Sequence, residues 1–200
     1  MRRISSQVQE AVNAEVAKRI KSHYPDGKKL KHQSPHPWTS NAALVNCYSG
    51  GHESVGYHSD QLTYLGPRTI IGSISLGVAR EFRVRRIIPQ DSDSTSSSAT
   101  GSKKKAKEDE DAAGQISIHL PHNSLLVLHA EMQEDWKHSI VPAAAIDPHP
   151  IAGNKRFNIT YRNYKASLHP RFTPKCKCGV PTVLRVVQKK KENHGIQRYH

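Results

Sequence analysis

The chain opens on a stripe of apolar residues that returns at helical intervals. Branched apolar side chains occupy every fourth position from Ile4 to Ile20, and Pro25 ends the pattern. Because residues four apart lie on one side of an α-helix, this spacing predicts a helix over residues 4–23 with one apolar face. Two interpretations of that face are open, namely a helix packed on a sheet and a helix that is exposed or binds a partner.

From Ala42 onward the apolar pattern changes to short extended runs separated by turn residues. Apolar and charged residues alternate from Glu81 to Arg85, as they do in a half-buried strand. Similar apolar runs occupy residues 44–48, 69–76, 116–120, 125–128 and 156–162. Many short strands with turn signals between them predict a mainly β protein, built as a sandwich or barrel and not from βαβ units.

Residues 89–114 interrupt this strand pattern with a serine and threonine run, a lysine run and an acidic cluster. Such a composition cannot bury an apolar core, so it predicts a long disordered loop inserted between two strands. We therefore divide the chain into an N-terminal helix and basic linker over residues 1–37, a β domain over 38–170, and a C-terminal tail over 171–200.

Charge adds a class of partner to this picture. The 200 residues carry a formal net charge of +13, and 36% of them are hydrophobic. A positive field of this size attracts polyanions, above all nucleic acid, although a merely solubilising surface would have the same composition. No apolar run is long enough to span a bilayer, so no membrane partner is expected. The three cysteines argue against a disulfide framework and favour an intracellular, reducing compartment.

A candidate metal site begins at His58-Ser59-Asp60. Residues two apart on an extended segment point the same way, so His58 and Asp60 can reach one ion. His138 lies near the start of a later run that could form the opposite strand. Two histidines and one carboxylate on one face of an octahedral ion are the ligand set of non-haem Fe(II) oxygenases. Alone, the spacing is a weak signal, because thirteen histidines make chance pairs common.

The strand over residues 156–162 carries a second constellation. Arg156, Asn158 and Arg162 share one face at a period of two, together with Thr160. Two inward arginines are costly unless anions neutralise them, and a dicarboxylate does so by bidentate pairing. The alternative is an outward, solvated face. The apolar residues in between also need cover, however, which indicates a strand covered on both faces.

With these residues together, the chain resembles the AlkB family of Fe(II)- and 2-oxoglutarate-dependent dioxygenases, and most closely its DNA-repair members of fungal type. Four blocks follow the family's order, namely Asn46-Cys47-Tyr48, Gly56-Tyr57-His58-Ser59-Asp60, Trp136-Lys137-His138-Ser139 and Arg156-Phe157-Asn158-Ile159-Thr160-Tyr161-Arg162. The resemblance covers residues 38–165 and rests on order and spacing. It implies a double-stranded β-helix, or jelly roll, here combined with the N-terminal helix and the long disordered loop.

The resemblance also implies site residues and an activity. His58, Asp60 and His138 would hold iron, whereas 2-oxoglutarate would be bound by a second set, Asn46, Tyr48, Arg156, Asn158 and Arg162. The implied reaction is oxidative demethylation of alkylated bases in DNA, or else RNA, by a nuclear, monomeric repair enzyme. The alternatives are a protein or small-molecule hydroxylase and an inactive nucleic-acid-binding module. Residues 61–63 lack the acidic residue that repair members often place there, which leaves base selectivity open.

The tail contains a partial zinc motif. Cys176-Lys177-Cys178-Gly179 resembles the opening of a GRF-type zinc finger, a small nucleic-acid-binding module. Zinc takes four ligands, and Cys176 and Cys178 would supply two, with His194 or His200 as a third. The sequence printed here has no later cysteine, so a truncated or degenerate module is the alternative to a zinc site.

Overall fold

The N-terminal stripe folds as predicted into a helix that packs on a sheet. The computed structural model describes residues 2–24, 27, 28, 30, 32, 34, 36–89, 114–188 and 190–200. Within these, α1 spans Arg2–Ser22. Val8 and Val12 are buried in a cluster with Trp38 and Tyr161, and this apolar contact fixes α1 on the domain. The exposed or partner-binding alternative for this face is therefore wrong.

Ten short strands, one short α-helix and three 3-10 turns at Ala166–Leu168, Pro170–Phe172 and Lys191–Asn193 follow α1 in the described residues. The strands are β1 Ala42–Ser49, β2 Val55–His58, β3 Ile71–Gly77, β4 Arg80–Arg86, β5 Gln115–Leu120, β6 Ser124–Leu128, β7 Trp136–Ile140, β8 Lys155–Arg162, β9 Leu184–Val186 and β10 Gln197–Tyr199. A single turn of helix, α2, spans Met132–Asp135 directly before β7. None of the described helices is long and apolar enough to cross a membrane.

Strands β1 to β8 form two antiparallel four-stranded sheets, and β9 and β10 form a separate hairpin in the tail. The first sheet has the order β1-β8-β3-β6 and the second the order β2-β7-β4-β5. Successive strands mostly alternate between the two sheets, so the chain winds back and forth as a double-stranded β-helix. The predicted mainly β jelly roll is confirmed, with the N-terminal helix added to it.

The apolar core lies between the two sheets. Ile71 and Leu128 of the first sheet meet Phe82, Val84 and Ile140 of the second, and all five side chains are buried. Burying a side chain of this size contributes about 1.5–3 kcal/mol, so this layer stabilises the sandwich. Polar residues of β2 and β7 in the second sheet and of β8 in the first line a common cavity between the sheets.

The predicted insertion falls between β4 and β5, which are neighbours in the second sheet. Arg85 is the cross-strand partner of Gln115, so the two strands form the arms of a hairpin. Residues 90–113, which make up most of the predicted disordered loop, lie outside the described residues. The proposed division at residues 37 and 170 stays a prediction.

Candidate metal and co-substrate site

Three predicted metal ligands come together where β2 and β7 pair. His58 ends β2 and is the cross-strand partner of His138 in β7. Asp60 follows two residues after His58, and its Oδ1 lies 3.8 Å from His58 Nε2 and 3.5 Å from His138 Nε2. The candidate ligand atoms of the three side chains all lie within 4.8 Å of one another. A single ion can therefore contact all three.

The two imidazoles are oriented by their surroundings. His58 Nδ1 lies 2.8 Å from the carbonyl oxygen of Gly56, to which it donates when it carries the ring hydrogen. That tautomer leaves Nε2 with a free lone pair on the side of Asp60, as a metal ligand requires. The buried His138 ring stacks on Phe82, with centroids 5.4 Å apart. Both rings are thus held by groups that do not compete for the ion.

Asp60 is prepared as an anion. Burial alone would raise the pKa of this carboxyl, but hydrogen bonding to His138 and the charge of Arg162 lower the pKa to about 2. Arg162 Nη2 donates to Oδ2 at 2.8 Å. The backbone N–H of Asp60 donates to Gln133 Oε1 at 2.6 Å, which fixes the backbone at the ligand. The carboxylate is therefore charged and held in place across the physiological pH range.

All eight predicted iron and 2-oxoglutarate residues line one cavity. The cavity has a volume of about 280 Å³ and lies between the sheets. This is near the lower end of the usual range for small-ligand pockets, about 300–1,000 Å³. The residues in question are Asn46, Tyr48, His58, Asp60, His138, Arg156, Asn158 and Arg162. The structure thus brings together positions that are far apart in the sequence.

Arg156 is the strongest sign of an anionic ligand in this cavity. Its side chain is only 1% exposed, and burial lowers its pKa to about 10. Nη2 donates to Ser75 Oγ at 2.8 Å, whereas Nε and Nη1 have no hydrogen-bond partner among the residues that the structure describes. Unpaired buried donors on a cation are costly, and an incoming carboxylate would satisfy at least one of them. The residues present therefore fit a dicarboxylate such as 2-oxoglutarate, with iron at the nearby triad.

The other predicted co-substrate residues surround Arg156. Asn158 accepts a hydrogen bond from Ser73 Oγ at 2.6 Å and donates to Thr160 Oγ1 at 2.9 Å, so its amide is locked in orientation. The ring of Tyr48 lies 5.4 Å from the Arg156 guanidinium. Arg162 differs from the prediction in part, since it already pairs with Asp60. The observed contact of Arg162 is to the metal ligand Asp60. A role of Arg162 in binding the co-substrate stays a prediction.

Sequence reasoning did not find the structural role of Arg80. This side chain is 2% exposed and donates to the carbonyl oxygens of Gly50, Gly51, Glu53 and Val141 at 2.7–3.1 Å. It therefore ties the loop between β1 and β2 to the end of β7. No sequence signal could reveal this role, because the partners are backbone atoms of separate segments.

The predicted zinc site is not assembled in the described part of the chain. Cys176 and Cys178 are joined to each other by a disulfide, so neither offers a thiolate. His194, one of the two suggested third ligands beside His200, contacts Asp135 Oδ1 through Nε2 at 3.1 Å. Among the described residues, only the His58 triad groups three or more side chains suited to one metal ion. The structure therefore does not show a zinc site, and the partial zinc-finger-like tail over residues 171–200 stays a prediction.

Comparisons with known proteins agree with this geometry. Residues 1–162 match the family described as the 2OG-Fe(II) oxygenase superfamily. The chain is 32% identical over 122 residues to the DNA oxidative demethylase ALKBH2 of Arabidopsis thaliana, a match that covers 61% of this chain and 37% of that protein. It is 31% identical over 124 residues to the human alpha-ketoglutarate-dependent dioxygenase alkB homolog 3, covering 62% of this chain and 36% of the relative. The chain thus spans little more than a third of the length of these relatives.

A solved structure supports the fold. The structure of OsALKBH1 superposes with a TM-score of 0.51 at 18% identity, covering 82% of this chain and 64% of that one. At this identity the likeness concerns the jelly roll alone. The family match over residues 1–162, by contrast, includes both histidines, Asp60 and the Arg156 strand. The chain therefore belongs to the 2OG-Fe(II) oxygenase superfamily, and the relatives that it resembles are AlkB homologues.

Proposed function

We propose that the chain carries the catalytic centre of an Fe(II)- and 2-oxoglutarate-dependent dioxygenase that removes alkyl groups from nucleobases in DNA. The reaction is direct reversal of alkylation damage. Since the substrate is DNA, we propose a nuclear location, and we propose that the enzyme works as a monomer. The activity rests on one cavity and not on a second subunit.

The observation that carries the proposal is the joint placement of the triad and Arg156 in a single cavity. Three ligand atoms within 4.8 Å of one another suit one ion, and the unpaired donors of Arg156 suit a carboxylate. Fe(II) held by the triad would supply the redox chemistry by which O2, the oxidant, hydroxylates the alkyl carbon while 2-oxoglutarate is decarboxylated to succinate and CO2. Arg156 and Asn158 then orient the dicarboxylate, Asp60 remains charged, and the apolar neighbours Phe82 and Ile140 exclude water.

The substrate class is supported by charge and by a second recess. The net charge of +13 attracts a phosphate backbone. A wider recess of about 530 Å³ borders His58 and Asp60 and is lined by the rings of Tyr64 and Tyr164, whose centroids are 5.2 Å apart. An extruded base can stack on such rings while its alkyl group reaches the metal. Two similar proteins are also named as a DNA demethylase and an alkB homolog.

The direct test is succinate formation from 2-oxoglutarate in the presence of Fe(II) and an oligonucleotide with 1-methyladenine or 3-methylcytosine. We expect turnover that releases formaldehyde and depends on the methylated base. His58→Ala should abolish turnover while changing the dissociation constant for DNA by less than about twofold, because the histidine holds the ion and not the backbone. His119→Ala, an exposed histidine on β5, is the matched control and should retain full turnover.

Other outcomes would reassign the protein. A preference for methylated RNA would replace DNA as the substrate, and stimulation by a peptide alone would indicate a protein hydroxylase. Binding of DNA with a steep salt dependence but without succinate would indicate a nucleic-acid-binding module and overturn the enzymatic proposal. Equal loss of binding and turnover in His58→Ala would indicate a structural role for the histidine.

A further inference from the structure

We propose that the C-terminal hairpin β9–β10 braces the metal-ligand segment, and that Gln188 is the positioning residue through which it acts. The inference rests on the proposed function, because it concerns the same metal centre. The hairpin would thus support the metal site of the β domain, whereas the sequence suggested that the tail is a separate zinc module.

Gln188 bridges the two segments that carry the metal ligands. Its Nε2 donates to Ser59 Oγ at 3.0 Å and lies 3.2 Å from the carbonyl oxygen of Gln133. Ser59 lies between His58 and Asp60, whereas Gln133 lies in α2, directly before the strand of His138. One amide group of the tail therefore contacts both sides of the ligand set.

The contacts continue from Gln188 to the ligands themselves. Ser59 Oγ donates to the carbonyl oxygen of Trp136 at 2.9 Å, which joins the His58–Asp60 segment to the start of β7. Gln133 Oε1 accepts the backbone N–H of Asp60 at 2.6 Å. Gln133 is only 1% exposed, so water does not replace this contact readily. Gln188, Ser59 and Gln133 together form a polar clamp around the backbone of Asp60.

The hairpin holds Gln188 at this position through further contacts. His194 Nδ1 lies 3.1 Å from the carbonyl oxygen of Gln188, and its Nε2 lies 3.1 Å from Asp135 Oδ1 in α2. The same imidazole thus anchors the hairpin to the domain and fixes the backbone at Gln188. Leu184 and Tyr199 border a small apolar recess together with Leu62, two residues after Asp60. The hairpin therefore packs against both ends of the ligand-bearing turn.

Such a brace acts on metal affinity. The turn after β2 carries Asp60 and is otherwise a loop between β2 and β3, so its ligand geometry depends on what contacts it. Partners that orient metal ligands typically contribute 10–100-fold in affinity or activity. Gln188 acts through Ser59 and Gln133 and not on a ligand atom, so we expect an effect at the low end of that range.

The test compares two matched substitutions in the same hairpin. Gln188→Met keeps the length of the side chain but removes the amide. Gln197→Met is the control, because the side-chain amide of Gln197 donates to the carbonyl oxygen of Gly195 within the hairpin itself. Co(II) serves as a spectroscopic probe for the site, and its dissociation constant is measured on the full chain by absorbance titration. We expect the dissociation constant for Co(II) to increase about tenfold in Gln188→Met and to change less than twofold in Gln197→Met.

A second variant tests the clamp from the domain side. Ser59→Ala removes the hydroxyl without touching the hairpin, and we expect it to weaken Co(II) binding as well. Gln188→Met should then have a smaller effect in the Ser59→Ala background than in the wild type, since the two act through one contact. Thermal unfolding of the metal-free variants shows whether each one is folded. If Gln188→Met does not fold, the effect of Ser59→Ala on Co(II) binding decides whether the clamp supports the metal site.

Two results would overturn the brace. One is an unchanged Co(II) dissociation constant in both Gln188→Met and Ser59→Ala, and the other is equal weakening by Gln188→Met and Gln197→Met. A different result would contradict the proposed demethylase activity without contradicting the brace. If the wild type binds Co(II) through His58 but forms no succinate with any methylated oligonucleotide, the function is wrong while the brace is still measured by metal affinity.

Discussion

Arg162 Nη2 donates a hydrogen bond of 2.8 Å to Asp60 Oδ2, so the last residue of β8 holds the carboxylate that lies between the two histidines. The contact joins the first sheet to the metal-ligand segment of the second. Arg156 lies near the other end of the same strand, where its Nη2 donates to Ser75 Oγ and to Asn158 Oδ1. The two arginines of one strand face therefore have separable tasks.

Loss of Arg162 should weaken the metal site. In Arg162→Met the carboxylate of Asp60 loses its charged partner and is free to rotate, so we expect metal affinity to fall about 10–100-fold. Titration with Co(II) measures this effect. The control is Arg86→Met, which replaces an exposed arginine at the end of β4 and should leave the dissociation constant for Co(II) unchanged. An unchanged affinity in Arg162→Met would show that Asp60 does not need the contact.

Loss of Arg156 should act on the co-substrate instead. Arg156→Met removes two unpaired buried donors, and losing one partner of a buried charge pair costs about 2–5 kcal/mol. We expect the KM for 2-oxoglutarate to rise at least about 30-fold, the equivalent of the lower of these values. The dissociation constant for Co(II) should change by less than about twofold. Equal changes in both constants would contradict the separation of the two arginines.

The packing of α1 on β3 depends on the absence of a side chain at Gly72. A Cβ at this position would lie 2.9 Å from Val12 Cγ2 and 3.3 Å from Val8 Cγ1. We expect Gly72→Ala to lower the free energy of unfolding by about 1–3 kcal/mol, the usual cost of overpacking. Chemical denaturation measures it.

The double variant Gly72→Ala/Val12→Ala provides the control for that contact. Removing the Val12 methyl groups makes room for the new one, so the double variant should be more stable than the sum of the two single effects predicts. Strict additivity would show that the helix does not rest on β3 at this point.

Glu134 should make stability fall as pH rises. The side chain is fully buried, and burial raises the pKa of its carboxyl despite the nearby Arg68. A carboxyl with a raised pKa in the folded state favours folding below its unfolded pKa, and this contribution is lost as pH rises through the folded pKa. Glu134→Gln removes that dependence but can still accept the hydrogen bond from the Arg68 N–H, observed at 2.8 Å.

The melting temperature of Glu134→Gln relative to the wild type should therefore increase from pH 5 to pH 8. Thermal unfolding of the metal-free proteins across this range gives the comparison. Glu131→Gln changes a partly exposed carboxyl that pairs with Arg19, and its melting temperature over the same pH range serves as a reference. A constant difference between Glu134→Gln and the wild type would contradict the raised pKa.

The site histidines were predictable because strand geometry is local. His58 and Asp60 are two apart, a spacing that puts both side chains on one side of an extended chain, although in the structure only His58 lies within β2. The placement of Arg156 and Arg162 on one face of β8 follows from the same period of two. Their partners do not, since the contact of Arg162 with Asp60 joins positions 102 residues apart. Sequence spacing indicates which residues share a face, but sheet order decides which of them meet.

The tail shows the opposite case. Cys176 and Cys178 suggested zinc because of their spacing and resemblance, but His194 is drawn to Asp135 in α2. Gln188 belongs to no motif, and its partners Ser59 and Gln133 lie on two different segments. Single polar contacts of this kind leave no periodic trace in the sequence, so they become visible only once the chain is folded.

The hairpin of β4 and β5 has a consequence for how this gene can change. Because Arg85 and Gln115 are cross-strand partners, the end of β4 lies beside the start of β5. The entropic cost of a connecting segment grows only by about 0.6 kcal/mol for each doubling of its length. Changes of length between residues 89 and 114 are therefore compatible with an unchanged register of Val84 and His138, whereas Ile87 is buried and donates its N–H to the carbonyl oxygen of Asp135. An engineer can use the same position to graft a tag or a foreign module while leaving the catalytic centre as it is.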